Sequence, residues 1–509
     1  MSLVDLILFP IFSSCLIIFI HFLRVLNTPN SEFVKVIGTH LSSFLDYLTP
    51  QFLGVFAALT NFYNSLFLWI DYDNSLSIFQ SVEFVAWLPF HKLHFHLGID
   101  GISLFFVILT TFLIPICLLA SWQSVQKNSL FYIVLFLILE AFLILVFSIL
   151  DILLFYVSFE SVLIPMFLII GIWGSRERKI KAGYYFFLYT LFGSVFMLLG
   201  IMYLYSASGS TCYMALLHMV FDFDLQVILF LAFFIAFAAK IPMFPVHIWL
   251  PEAHVEAPTA GSVLLAGILL KLGGYGFLRF SIALFPQATE YFTPFVLTLS
   301  VLGILYASLT TLRQIDLKRI IAYSSVAHMN MVMVGLFSDN LQGIEGAVFL
   351  MLGHGVVSSA LFLIVGVLYD RHHTRLLMYY GGVTQIMPIF SLFFLIFTLG
   401  NIALPGTSNF VGEFLVLAGI IQQSFILTVF SALSMVIGAA YSLWLYNRVA
   451  FGELKLQYIK EYVDVTRREF YILVPLVFLT IFLGVYPEIF LINMHLPINY
   501  ILESANYWI

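Results

Sequence analysis

The chain has 509 residues, 62% of them hydrophobic and 9% charged, and its 21 Lys and Arg against 27 Asp and Glu leave a net charge of −6. Soluble domains carry about 25% charged residues, so this composition excludes a water-facing globule and describes a chain dissolved in lipid. Nucleic-acid binding has no support, because the basic residues are few and scattered. The three cysteines, Cys15, Cys117 and Cys212, lie far apart without a CxxC pair, which argues against a disulfide framework, a zinc ribbon or a cysteine-held iron–sulfur cluster.

A membrane-crossing helix needs about 20 apolar residues. Taken in chain order, the apolar runs and their breakers predict an all-α polytopic membrane protein of about fourteen spans. The first three, at about 3–23, 52–70 and 101–121, fall in an N-terminal unit, 1–128. The opening run has a span's length and carries His21 and Arg24 only at its end, so it is expected to be a span and not a basic, cleavable presequence. His91, His94 and His96 precede span three and have a spacing that can bind metal, but an interfacial histidine cluster is the favoured reading and no metal site is expected.

Spans four to eight, at about 129–147, 150–173, 183–205, 226–250 and 258–280, form a second unit, 129–280. Glu140 lies in span four, Glu160 in span five, Lys240 in span seven and Lys271 in span eight. Span seven is broken by Pro242 and Pro245 just past Lys240. Gly273, Gly274 and Gly276 follow Lys271 within a helix, where close helix packing outweighs phosphate binding. The connection after span seven holds His247, Glu252, His254 and Glu256 around Pro251 and Pro258; it is either a route of proton uptake from the inner side or a wet loop.

Spans nine to thirteen, at about 293–311, 320–337, 343–369, 386–421 and 427–447, form a third unit, 293–447. They carry His328 in span ten, His354 in span eleven and Glu413 in span twelve. Span twelve is too long for one straight crossing and is interrupted at Asn401–Thr407, which contains Pro405 and Gly406. Interior prolines remove a backbone hydrogen bond, and in a membrane such breaks face cavities or protein. Broken helices in corresponding positions of two halves point to a transport site. Spans seven and twelve are five apart, so units four to eight and nine to thirteen read as two five-helix repeats, the second inverted by the odd count. A loop and a last span at about 470–492 complete the chain, 448–509.

The distribution of Lys and Arg fixes the expected orientation. Connections after odd-numbered spans, from Arg24 and Lys35 to Lys460, Arg467 and Arg468, hold all but four of the 21 basic residues. Connections after even-numbered spans hold Lys92 and Arg279. Both termini are therefore expected outside, and Lys240 and Lys271 are left as the basic residues within the bilayer. A charge at a span centre costs about 2.5–3.5 kcal/mol on insertion scales, and Glu160 lies about 15 Å in from its span start at the helical rise. Two lysines, three glutamates and two histidines at such depth read as a proton path, each able to change protonation when a neighbour moves.

The stretch Lys240-Ile241-Pro242 with Pro245-Val246-His247-Ile248-Trp249-Leu250-Pro251-Glu252-Ala253-His254 resembles the antiporter-related subunits of respiratory complex I. Leu269-Leu270-Lys271-Leu272-Gly273, Arg313-Gln314-Ile315-Asp316-Leu317-Lys318-Arg319, Leu404-Pro405-Gly406 with Gly412-Glu413-Phe414, and Phe159-Glu160-Ser161 narrow the resemblance to the chain 4 family of mitochondrial NADH:ubiquinone oxidoreductase. The likeness runs from about residue 85 to 490 and is strongest in a plant- or alga-like form. It implies inverted repeats and proton translocation along a buried Glu/Lys/His axis, driven by electron transfer in other subunits. In that family Glu160 would pair with Lys240, Lys271 would be the central relay, Glu413 the terminal site toward the outer side, and His328 and His354 polar-axis positions.

The same resemblance implies that this chain binds no cofactor. NADH, FMN, iron–sulfur clusters and ubiquinone would sit in partner subunits of the membrane and peripheral arms, including neighbouring antiporter-like subunits. It also implies a multi-pass protein of the mitochondrial inner membrane, in contact with its lipids. A stand-alone cation/proton antiporter is the main alternative.

Overall fold

The computed structural model describes residues 2–26, 49–88, 93–455 and 463–506. Lys35, Lys92, Lys460 and His91 lie outside the described residues, as does the Arg24 side chain. Among the described residues, twelve helical runs are long and apolar enough to cross a membrane. They are α1 (Leu3–Leu26), α2 (Pro50–Ile70), α3 (Gly101–Ala120), α4 (Ser129–Ser148), α5 with α6 (Ile152–Ser161 and Leu163–Trp173), α7 (Lys179–Ser208), α9 (Phe223–Lys240), α11 with α12 (Thr259–Leu264 to Leu270–Gly276), α13 (Pro286–Thr311), α15 (Leu341–His372), α18 (Phe425–Ala450) and α19 (Arg467–Val485). A short α8 (Tyr213–Leu217) precedes α9, α10 (Trp249–Glu256) follows it, and α20 (Glu488–Asn506) closes the chain.

The other two expected spans take different forms. Span ten is α14 (Leu317–Leu336), which carries Lys318, Ser324, Ser325, His328 and Asn330 and is too polar to face lipid. It is sheltered between α13 and α15, with nearly every residue buried. Span twelve is two short helices, α16 (Pro388–Asn401) and α17 (Ser408–Ile420). In the break between them Ala403 and Gly406 take left-handed backbone angles, φ 61° and 94°.

Span seven breaks where its prolines predict. Helix α9 ends at Lys240, and the chain resumes as a short 3₁₀ turn, Val246–Ile248, leading into α10. A broken helix leaves carbonyls that must find donors. Trp249 Nε1–H donates to the Ala239 carbonyl at 2.8 Å, and Asn330 Nδ2 donates to the Pro242 carbonyl at 3.3 Å. His247, Glu252, His254 and Glu256 thus belong to the second half of this broken span and not to a connecting loop. Pro251 is tolerated there because it stands in the first turn of α10, where its missing N–H has no helical partner to lose.

The bonds between span ends segregate into two sets. The ends of odd-numbered spans and the connections after them bond to one another: Ser175 N to Glu256 O, at the end of the broken span seven, at 3.0 Å, Leu317 N to Arg375 O at 2.9 Å, and Gly382 N to Phe451 O at 3.0 Å. Those after even-numbered spans do the same: Leu150 N to His96 O at 2.8 Å, Ile152 N to Thr211 O at 3.0 Å, and Asn340 Nδ2 to Gly419 O at 2.8 Å.

Two elements go beyond the sequence reading. The segment before span three forms an antiparallel hairpin, β1 (Gln80–Leu88) with β2 (Leu93–Ile99), pairing Phe84 with His96. Its Glu83 carboxylate accepts the N–H groups of Leu3 and Val4 at 2.6 and 3.1 Å and so satisfies the orphan donors at the start of α1. Helix α20 packs on α3 and α15. Its backbone at Asn493 comes so close to Gly101 that no Cβ fits there.

The charge tally also needs correction. Arg279 is inside the helical run Thr259–Ile282, 4% exposed, and its Nη2 meets Asp100 Oδ2 at 2.6 Å. Lys318 and Arg375 are 2% and 1% exposed. Each stands near a helix end, but its long side chain turns inward to a carbonyl or carboxylate instead of outward to headgroups. Trp249→Phe keeps the ring and removes the donor to Ala239 O. It is expected to cost about 1–3 kcal/mol, the penalty for a buried acceptor left unpaired, read as earlier thermal loss of the subunit from its membrane assembly.

Candidate functional site

Four of the buried residues named from sequence form one connected row. Lys271, on α12, is fully buried, and its Nζ donates to the Ala266 carbonyl and to His354 Nδ1, the latter at 2.9 Å. Ala266 lies in a π-helical segment, Leu265–Leu269, and a second such segment, Phe277–Ile282, follows α12. Widened turns of this kind free backbone groups and recur at functional sites, and here the lysine folds back on the first one. His354 on α15 and His328 on α14 have ring centroids 5.5 Å apart. His328 Nδ1 bonds Glu413 Oε1, on α17, at 2.9 Å. The row therefore runs Lys271–His354–His328–Glu413 across four helical elements, none of its members more than 8% exposed.

The hydrogen bonds constrain the chemistry. Where Lys271 donates to His354 Nδ1, a neutral His354 must carry its own proton on Nε2. The Nε2 atoms of both histidines are buried without a hydrogen-bond partner among the described residues. Each imidazole thus has one nitrogen committed to a charged neighbour and one available for proton exchange. Glu413 also lies in electrostatic reach of the buried Tyr441, which is grouped with Asn401, Ser442 and Ser324. Sequence reading did not single out these hydroxyl and amide side chains, since none is ionisable at neutral pH.

Glu160 and Lys240 form a second group. Glu160 is on the last turn of α5, where span five steps into α6, with both its carboxylate oxygens buried and the Ser194 hydroxyl as its polar neighbour. Lys240 is the final residue of α9, where the negative end of the helix dipole favours a cation. Its Nζ lies 4.2 Å from the centre of the Phe159 ring and makes no hydrogen bond among the described residues. The two charges act on each other electrostatically, with no hydrogen bond or salt bridge between them.

The remaining candidates divide. Glu140 bonds Asn61 Nδ2, on α2, at 2.7 Å, which is its one hydrogen bond among the described residues. His254 is fully buried and stacks on Phe362 with ring centres 4.7 Å apart, in electrostatic reach of Lys271, His354 and Lys318. His247 packs against Phe244, Tyr306 and Tyr323. Beneath His254, Lys318 Nζ donates to the Ala257 carbonyl at 2.8 Å, Arg375 donates to the Val255 carbonyl, and Glu256 is 2% exposed. This polar cluster escaped sequence reading because a helix-end Lys or Arg looks like loop charge. Pro242, Pro245, Pro405 and Gly406 shape the two breaks, and the Pro245 backbone is within hydrogen-bond reach of His247.

No group of three His, Cys, Asp or Glu among the described residues is placed to hold a metal ion. His94 and His96 flank the Phe84 ring. Burial holds the His96 imidazole below its usual pKa, against the pull of Asp151.

Broken helices around a buried row of Lys, His and Glu define an antiporter-like membrane protein. The comparisons with known proteins agree. Residues 148–438 match the family model described as NADH:quinone oxidoreductase/Mrp antiporter, TM, and residues 51–149 match NADH-ubiquinone oxidoreductase chain 4, amino terminus. NADH-ubiquinone oxidoreductase chain 4 of Marchantia polymorpha is 59% identical over 89% of this chain and 92% of its own length. That of Arabidopsis thaliana is 55% identical over 99% and 98%. Among solved structures, a chain of respiratory complex I from Thermus thermophilus superposes with a TM-score of 0.87 at 28% identity, covering 99% of this chain and 100% of that one. A chain of the archaeal membrane-bound sulfane sulfur reductase shares the fold, with a TM-score of 0.79 at 20% identity, covering 95% and 76%. The chain belongs to the NADH-ubiquinone oxidoreductase chain 4 family, and is thus an antiporter-like membrane subunit of the proton-translocating complex I.

Glu140 makes no hydrogen bond to any member of the row, and a substitution tests whether it shares in the path. In Glu140→Gln the new amide can accept from Asn61 Nδ2 and donate to the Asn61 Oδ1 atom that lacks a partner. Proton pumping driven by NADH oxidation is expected to stay at the parental rate in this variant. A several-fold loss in reconstituted vesicles would instead put Glu140 on the path.

Proposed function

We propose that this subunit carries protons along the axis Glu160–Lys240–Lys271–His354–His328–Glu413. The observation that carries this reading is the pair of 2.9 Å bonds that ties Lys271 to His354 and Glu413 to His328. Lys271 holds a proton at Nζ and passes it to His354 Nδ1, and the Nε2 proton leaves toward His328. His328 hands it to the Glu413 carboxylate, the terminal site on the way to the outer side. Glu160 and Lys240 are a charge pair whose separation alters the field at Lys271. Of the two histidines in the second half of span seven, His254 is the better candidate for proton uptake from the inner side, since it faces both Lys318 and Lys271. Glu140 lies beside this path.

The driving energy comes from electron transfer in partner subunits, which hold NADH, FMN, iron–sulfur clusters and ubiquinone, while this chain binds no cofactor. Its partners are the neighbouring antiporter-like subunits and the other subunits of both arms. Its place is the mitochondrial inner membrane, with both termini toward the intermembrane space, as the distribution of Lys and Arg supports.

Lys271→Ala, His354→Leu and Glu413→Gln are each expected to lower NADH-driven pumping by on the order of tenfold or more, the scale of losing a positioned proton-transfer group. The check is acidification of vesicles holding the intact complex, with NADH oxidation measured alongside. Parental pumping in all three variants would sink the axis. Cation-for-proton exchange by the chain reconstituted alone would favour the antiporter alternative.

A further inference from the structure

On the side that bears the basic connections, a cleft of about 580 Å³ opens between the loop after α13, the segment between α15 and α16, and the end of α18. Its lining includes Ile315, Met378, Trp444, Arg448, Phe451 and Lys455. Arg448, in the last turn of α18, is exposed and makes no hydrogen bond or ion pair among the described residues. Its one recorded contact is the Trp444 ring, 5.6 Å away. Lys455 gives one of its three donors to the Met378 carbonyl at 2.5 Å. Two carbonyls at the end of α18, which would repel an anion, are occupied: Thr384 Oγ1 donates to Ala450 O at 2.8 Å and Gly382 N to Phe451 O at 3.0 Å. Glu453 on the rim is a single carboxylate against two cations.

We propose that this cleft binds the phosphodiester headgroup of an anionic phospholipid from the adjoining leaflet. Three features select a lipid over a soluble anion. Trp444 stands one turn deeper than Arg448, an arrangement that marks the membrane–water boundary. The apolar rim is exposed, Ile315 by 63%, Met378 by 62% and Phe451 by 54%, and gives acyl chains a surface beside the charge. Basic pockets between membrane helices on this side complement lipid phosphate. Arg448 supplies the planar fork that matches two phosphate oxygens, and Lys455 the second charge. The site is remote from the proton axis, and the inference does not rest on it.

The test uses the intact complex in nanodiscs of phosphatidylcholine carrying a trace of photoreactive phosphatidylglycerol, with cross-linked peptides identified by mass spectrometry. Labelling is expected on the peptides that contain Met378 and Phe451. It should fall about fivefold for each of Arg448→Gln and Lys455→Gln, the weight of one juxtamembrane charge, and fall less in Arg448→Lys, which keeps the charge and loses the fork. NADH oxidation should be unchanged throughout, which shows that the complex is intact. Equal labelling by photoreactive phosphatidylcholine would overturn the proposal. So would labelling indifferent to both Gln substitutions, protection by soluble glycerophosphate as strong as by lipid, or cross-linking of the cleft to another subunit in place of lipid.

Discussion

The structure turns on the burial of the Lys271 ammonium. A cation in a membrane interior is tolerated only when donors and acceptors replace its water shell, and the Ala266 carbonyl and His354 supply that replacement. Supplying it shapes the neighbourhood. Span eight widens into π-helical turns on both sides of Lys271. Helix α15, which brings His354, is 32 residues long and enclosed by protein along its apolar length. Helix α14 can be polar because α13 and α15 stand between it and lipid.

The two breaks follow from the same rule applied to the backbone. At span seven, one indole and one amide side chain take up the freed carbonyls, and the amide comes from α14, the helix that also carries His328. At span twelve the backbone turns by left-handed residues, and Gly484 of α19 lies against the Gly406 carbonyl. The breaks and the buried charges are thereby built from shared elements: α9 ends on Lys240, and α17, just past its break, carries Glu413.

Much of this was legible in the sequence because lipid punishes exceptions. Lys240, Lys271, Glu160 and Glu413 stood out against long apolar runs, and Pro242, Pro245 and Pro405 marked the breaks. The hairpin is not legible in this way, although Val82 and Phe84, and Phe95 and Leu97, alternate with polar neighbours, because a short strand pair lacks the length signal that betrays a helix. Lys318, Arg375 and Arg279 were read as loop charge because composition records position along the chain and not the direction in which a side chain turns. The joining of His354 to Lys271 and of His328 to Glu413 depends on which faces of four elements meet. Residue depth alone cannot supply that.

The distance between the two charge groups is bridged by packing and not by hydrogen bonds. Gly273, two residues past Lys271, faces the Phe237 carbonyl and the Ile241 amide so closely that a Cβ there would lie 2.9 and 3.0 Å from them. Gly276 faces the Phe237 ring, and Gly274 faces Ile241 and Met351. Helix α12 is thus seated on the last turn of α9 at the point where that helix ends in Lys240. Close-packed interiors move as units and do not deform continuously. On the axis proposed above, this seating is where a displacement of the break would pass from α9 to α12 and so to Lys271. The glycines that read in the sequence as packing residues are what lets α12 lie this close to the end of α9 beside Lys271.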